Sequence, residues 1–151
     1  MPFIENVSRS AIEKGQHHSA GLNAMLIQIT DPDSPFPLPL YSFRKVAQYR
    51  FWDTEDDEDL CPQYMDAINL VENLRYALAN NMNVVVHCQA GLCRSGAVAE
   101  IGKQMGFIDC ERPKWPNRKL YSMMADIAGF KTNMEEYERM FDMREFMKLE
   151  F

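Results

Sequence analysis

Cysteine is scarce in this chain, and poorly spaced for the usual cysteine architectures. The 151 residues hold four, at positions 61, 88, 93 and 110. None forms a Cys-x-x-Cys pair, which argues against a zinc ribbon. Basic charge is also short: 16 Lys and Arg face 22 Asp and Glu, a net −6. A nucleic-acid groove, with its basic footprint, is therefore not expected. No window comes near the roughly 18 apolar residues of a membrane span. The start, "MPFIENVSRSAIEKG", lacks the basic and apolar stretches of a secretory signal, so the expected location is cytoplasmic. A disulfide framework is not expected in that reducing compartment. Internal repeats and long flexible linkers are missing too. What remains is one domain over residues 1–151, 46% hydrophobic, long enough to bury a core. The acidic balance leaves an anion site open, because a pocket needs only local positive potential.

The positive content begins with "AMLIQIT" (24–30), a buried strand, followed by the proline-dense "DPDSPFPLPL", an ordered loop or extended segment. "KVAQYRFW" (45–52) alternates apolar and polar residues as a second strand does, and "DTEDDED" then places six carboxylates in seven positions. Pro62 suits the first turn of a helix. Tyr64, Met65, Ile68, Val71, Leu74, Ala77 and Leu78 give that helix an apolar face ending near Asn80–Asn81. "NVVVHC" (83–88) reads as a strand buried on both faces. Helices are expected from about Arg94 to Gly106, over 118–128 and over 134–149, the last carrying Met134, Tyr137, Met140, Phe141 and Met147. Strand and helix in alternation imply an α/β fold, a central mostly parallel sheet flanked by helices, with right-handed crossovers.

Ligands of open α/β sheets bind beyond the carboxyl ends of strands, beside helix N-termini. Cys88 lies at such an end and Arg94 opens the next helix. Between them "QAGLC" contains Gly91, free to adopt backbone geometry closed to other residues. A tight loop there turns successive N–H groups inward as an anion nest, with the helix dipole behind it. Arg94 adds a planar fork suited to two phosphate oxygens, and the positive surroundings favour the thiolate of Cys88. His87 can buttress the loop and help hold the thiolate. Ser95 can donate its hydroxyl to the sulfur when the sulfur leaves. Singly, each residue reads as ordinary core, since a free Cys is often a small buried hydrophobe. Together they do not: at roughly 5% per position, five such matches arise by chance about once in three million starting points.

As it stands, "HCQAGLCRS" resembles the His-Cys-x-x-Gly-x-x-Arg-Ser signature of the cysteine-dependent protein tyrosine phosphatases, and "HCQAG..RS" their dual-specificity branch. "WPNRKLYSMM" is similar to the Pro-Asn segment that opens a late helix in that branch, and the likeness spans about residues 24–130. The resemblance implies that Cys88 attacks phosphorus to form a phosphocysteine that water then hydrolyses. It implies further that Arg94 and the backbone of Gln89, Ala90, Gly91, Leu92 and Cys93 bind the phosphate oxygens. No cofactor or metal is implied, and the expected partner is a phosphorylated protein; the oligomeric state is not given. Asn117 matches the asparagine that supports the phosphate loop; read by itself, it is equally a helix N-cap after Pro116.

One Asp can protonate the leaving oxygen and later deprotonate the incoming water. Members of the branch carry it some thirty to thirty-five residues before the cysteine; Asp53 lies 35 before Cys88, Asp56 32 and Asp57 31. Asp53 is the choice, because it directly follows "QYRFW" at the end of a strand, with Asp56 and Asp57 as alternatives. Glu58 and Asp59 read as solvated charge near a helix N-terminus. Cys93 has two readings, a small loop residue or a thiol that protects Cys88 from peroxide. His17–His18 reads as polar loop, and Trp115 as a rim residue. Competing substrates are less well matched: Gln89, Ala90, Leu92 and Cys93 supply no Lys for a phosphoinositide, and the surface is not basic enough for RNA ends. A binding-only module would be expected to lack Cys88 or Arg94.

Overall fold

Five strands, all parallel, form one sheet in the computed structural model, which describes residues 1–130. In chain order the elements are β1 (Phe3–Ser8), α1 (Arg9–Lys14), β2 (Ala24–Thr30), β3 (Lys45–Arg50), α2 (Tyr64–Ala79), β4 (Asn83–Cys88), α3 (Arg94–Met105), β5 (Ile108–Asp109) and α4 (Arg118–Ala128). The strand order is β3-β2-β4-β1-β5, and every neighbouring pair is parallel. All five C-terminal ends therefore share one edge, where functional groups collect in such sheets.

The apolar runs are continuous because β2 and β4 are covered on both sides. Met25, Ile27, Ile29, Val84, Val86 and Cys88 pack with α2, α3 and α4, while Leu26, Val85 and Val7 pack with Ala11 and Ile12 of α1. Each fully buried aliphatic side chain contributes roughly 1.5–3 kcal/mol, so these strands anchor the fold. Edge strand β3 keeps the alternation of a one-sided strand, with Tyr49 buried and Arg50 exposed.

Several boundaries differ from the sequence reading. Strand β3 ends at Arg50 instead of 52: Phe51 N–H still donates to Thr30 O at 3.2 Å, but Trp52 N–H donates to Leu60 O at 2.9 Å, which folds the acidic loop back. Helix α2 starts at Tyr64, not Pro62, with the Asp66 carboxylate accepting from Gln63 N–H at 2.9 Å. Its buried stripe is Ala67, Leu70, Val71, Leu74 and Ala77, while Tyr64 and Met65 are exposed. The α3 and α4 spans fall where the sequence placed them; the helix expected at 134–149 lies outside the described residues.

Three elements were not read from sequence: β1, α1 and the two-residue β5. Strand β1 sits between β4 and β5 in a register that sets Ser8 beside Cys88. Ser8 Oγ then accepts from Ala11 N–H at 3.1 Å to cap α1, and Gly15 closes that helix in the left-handed region at φ 67°. Among the described residues no helix is long and apolar enough to cross a membrane.

Candidate active site

The loop from Gln89 to Cys93 is tied down through its carbonyls. Gln89 O accepts from Arg9 N–H at 3.3 Å, Leu92 O from Trp115 N–H at 3.0 Å, and Cys93 O from Ala97 and Asn117 N–H at 3.0 and 2.9 Å. Gly91 O accepts from the Asn6 side-chain amide at 2.8 Å. Every one of these donors comes from outside the loop. A trans peptide sets its N–H opposite its C=O, so the amides of Ala90, Leu92, Cys93 and Arg94 turn toward the inside. Gly91 is required by the backbone: at φ 76° an added Cβ would lie 2.5 Å from Val7 C and 2.6 Å from Ser8 N. The loop rests directly on the end of β1.

Cys88 ends β4 and immediately precedes this loop, 2% exposed, with Sγ 3.1 Å from Ser95 Oγ. His87 does not share that position. It faces the opposite side of β4, and its Nδ1 lies 3.5 Å from the Cys88 carbonyl oxygen. Burial, reinforced by the nearby charges of Arg9 and Arg94, pushes its pKa from 6.5 down to about 4. The imidazole is therefore neutral at pH 7, and among the described residues the side chain within hydrogen-bond distance of the sulfur is Ser95, not His87.

Arg94 is buried, 4% exposed, and its charge is met by two acceptors. Nη1 donates to Asp31 Oδ1 at 2.8 Å and to Phe51 O at 2.8 Å. Nε is buried and has no hydrogen-bond partner among the described residues. A buried donor left unsatisfied is unfavourable by about 1–3 kcal/mol, and an oxyanion accepting from it relieves that penalty.

The acidic run is pinned rather than freely solvated. Asn117 Nδ2 donates to Asp53 Oδ1 at 2.9 Å and to Thr54 O at 3.0 Å, while Asn117 Oδ1 accepts from Leu120 N–H at 3.0 Å. One side chain thus caps α4 and holds the loop carrying Asp53. Glu55 pairs with Arg118, and Asp57 with Lys119. The hydrogen bond from Lys119 and its charge hold the Asp57 carboxyl below the ordinary range. Asp53 and Asp56 are exposed. Glu58 and Asp59 are exposed as read, but the carboxylate at the start of α2 is that of Asp66.

His18 of the His17–His18 pair is engaged elsewhere, its Nδ1 2.5 Å from Glu5 Oε2. Arg112 Nε lies 3.0 Å from the same oxygen, and with Cys110 beside them the group is an ion-pair cluster whose guanidinium opposes a cation. Two site residues were missed in the sequence, Asn6 and Asp31. Asp31 carried a usable signal, since it directly follows a strand, as Asp53 follows "QYRFW". Trp115, read as a rim residue, acts through its backbone on Leu92.

No protein-family model matches the chain, and no curated protein matches it in sequence. Among solved structures it is similar to human DUSP28, at 17% identity over all of this chain and 97% of that one, with a TM-score of 0.50. It is also similar to the human tyrosine phosphatase-like serine/threonine/tyrosine-interacting protein, at 16% identity over 93% of this chain and 94% of that one, with a TM-score of 0.54. The chain has the fold of the dual-specificity branch of the cysteine-dependent protein tyrosine phosphatases.

Proposed function

We propose that this protein is a phosphomonoester hydrolase acting on phosphorylated proteins through a phosphocysteine at Cys88. The observation that carries this reading is the buried Nε of Arg94, without a partner among the described residues, at the end of a loop that follows the buried thiol and whose carbonyls are held from outside. Such a cradle suits an oxyanion and sets a nucleophile beneath it.

In the first step the Cys88 thiolate attacks phosphorus. A sulfur–phosphorus bond forms, the phosphorus–oxygen bond to the leaving group breaks, and Asp53 gives that oxygen its proton. In the second step water attacks phosphorus and passes a proton to Asp53, while the sulfur leaves as thiolate. The Ser95 hydroxyl, 3.1 Å from Sγ, donates to the sulfur as charge returns to it. Arg94 and the amides of residues 89–94 hold the remaining phosphoryl oxygens throughout, stabilising charge where it develops.

A phosphoprotein-binding role is the second reading, favoured by the likeness to a protein described as phosphatase-like and interacting. It ranks lower because Cys88 and Arg94 are both present. Hydrolysis of para-nitrophenyl phosphate by wild type and Cys88→Ser separates the two. Turnover by wild type and none by Cys88→Ser is expected. A wild type that binds vanadate without turnover replaces the hydrolase by the binding module.

A further inference from the structure

We propose that Glu55 is a positioning residue for Asp53: held by Arg118, it fastens the acid loop to the first turn of α4. The inference rests on the hydrolase reading, with Asp53 as its acid. Three consecutive residues at the start of α4 meet three alternate acids of the loop. Asn117 donates to Asp53, Arg118 pairs with Glu55, and Lys119 pairs with Asp57. The two ion pairs are not equivalent. The Asp57 side chain is 93% exposed, and a pair so open to water is screened and holds little. The Glu55 side chain is only 20% exposed, and both of its oxygens are engaged. Oε2 accepts from Arg118 Nε, and Oε1 accepts from Arg118 N–H at 3.4 Å. That backbone donor is fixed by the helix, whose N-terminus favours a carboxylate.

Little else fixes this part of the chain. Asp56, Asp57, Glu58, Asp59 and Leu60 are all exposed, so the loop lacks the apolar packing that anchors the strands. Asp53 is itself exposed, and Asn117 Nδ2 holds it through one oxygen, Oδ1. A protonated carboxyl keeps one acceptor oxygen and one O–H donor. Asn117 thus takes the acceptor and leaves the O–H for the leaving group. One hydrogen bond still lets the carboxyl turn about that contact. Thr54 O, accepting from Asn117 at 3.0 Å, and the Glu55 carboxylate add fixed points one and two residues on. They set the backbone direction from which the Asp53 side chain leaves. The support is firm, because Leu120 and Tyr121 bury the next residues of α4.

The test compares two esters that differ in their need for an acid. Phenyl phosphate releases a basic phenolate that needs a proton, whereas 2,4-dinitrophenyl phosphate releases an anion that needs none. The readout is kcat/KM, which covers the steps through loss of the leaving group. Glu55→Ala is expected to lower it about tenfold on phenyl phosphate and less than about twofold on the dinitrophenyl ester. Glu55→Gln, which keeps an acceptor, is expected to fall between wild type and Glu55→Ala. Exchanging the pair, with Glu55→Arg and Arg118→Glu in one chain, is expected to recover part of the loss seen in Glu55→Arg alone. Equal losses on both esters make Glu55 merely structural and overturn the proposal. A loss as deep as that of Asp53→Ala, unrelieved by the exchange, makes Glu55 the acid itself and also overturns it. Thermal unfolding checks each variant; if Glu55→Ala does not fold, Arg118→Gln removes the same pair from the other side. A wild type inert on both esters removes the hydrolase reading, and this inference with it. If Asp53→Ala is slowed on phenyl phosphate alone while Glu55→Ala matches wild type, only the role of Glu55 is lost.

Discussion

The side-chain amide of Asn117 donates to the Asp53 carboxylate at 2.9 Å while its backbone N–H donates to Cys93 O at 2.9 Å. A single residue, itself wholly buried, therefore fastens the loop that carries the candidate acid to the loop that carries the candidate nucleophile. The same side chain caps α4 through Leu120 N–H. Loss of an N-cap alone lowers stability by about 1 kcal/mol. Asn117→Ala also frees Asp53 and Thr54 O, so it is expected to lower kcat on para-nitrophenyl phosphate by roughly tenfold, a loss of acid positioning. Asn117→Ser, which restores a cap but cannot span to Asp53, is expected to recover the melting temperature without recovering kcat. Recovery of both would show that Asn117 acts on the helix alone.

The three candidate acids separate by environment. Asp57 is held ionised by Lys119, with its carboxyl below the ordinary range, and an ionised carboxylate is a poor proton donor. Asp57→Ala is therefore expected to leave kcat within about twofold of wild type, whereas Asp53→Ala is expected to lower it roughly 100-fold. Steady-state rates across pH decide between them. The alkaline fall in kcat that reports the acid is expected to vanish in Asp53→Ala and persist in Asp56→Ala. The reverse pattern moves the role to Asp56.

What was legible in the sequence follows from the range over which each role is set. Cys88, Gly91, Arg94 and Ser95 lie within eight consecutive positions, so the candidate site was readable from their spacing. The spans of α3 and α4 were legible because Gly106 and Asn117 mark their ends. Asn6 was not, because its partner Gly91 is 85 positions away and the link exists only through the β1–β4 register. In "FIENVS" the polar pair Glu5–Asn6 interrupts the apolar pattern, since both side chains are buried against partners that the linear sequence does not show. Asp31 lies 63 positions from Arg94 and was hidden among prolines that signal a loop. The face of α2 was read correctly at Val71, Leu74 and Ala77 and wrongly in the first turn, where Tyr64 and Met65 are apolar in type yet face solvent.

His87 gives the fold an acid sensitivity of definite sign. Its pKa is about 4 in the folded protein against 6.5 for a free imidazole. Between those values the unfolded chain binds a proton that the folded one excludes. The contribution is therefore fully present above pH 6.5 and is lost as pH falls toward 4, on the order of 3 kcal/mol in all. Urea midpoints at pH 7 and pH 4.5 measure it. His87→Gln is expected to show a smaller drop between the two pH values than wild type. An equal drop would place the acid sensitivity in the carboxylates instead.

Cys93 has two readings, which peroxide separates. If it resolves an oxidised Cys88, the Cys88 thiolate first attacks one peroxide oxygen, the O–O bond breaks, and a sulfenic acid and hydroxide result. The Cys93 thiol then attacks that sulfur, releasing water and forming a disulfide. Dithiothreitol returns both thiols. Wild type treated briefly with peroxide is then expected to recover most of its activity with dithiothreitol, and Cys93→Ser to recover much less, because its sulfenic acid proceeds to irreversible forms. Equal recovery leaves Cys93 as a loop residue acting through its carbonyl, which accepts from Ala97 and Asn117.

In the proposed reaction Ser95 offers the sharpest separation of the two chemical steps. Its Oγ lies 3.1 Å from Cys88 Sγ and is fully buried, so it acts on the sulfur and not on the leaving group. In the first step sulfur gives up charge as it attacks, and a donor to it assists little. In the second step charge returns to the sulfur, and the hydroxyl stabilises it. Ser95→Ala is expected to slow breakdown of the phosphocysteine by about 10- to 100-fold, the range seen when a single donor to developing charge is removed. Rapid mixing with para-nitrophenyl phosphate is then expected to show a burst of nitrophenolate equal to the enzyme concentration, followed by a slow steady rate. Trapping with acid would recover phosphate bound to Cys88. If Ser95→Ala instead lowers the rate without any burst, the hydroxyl assists attack, and its bond to the sulfur orients the nucleophile before the phosphoryl group arrives.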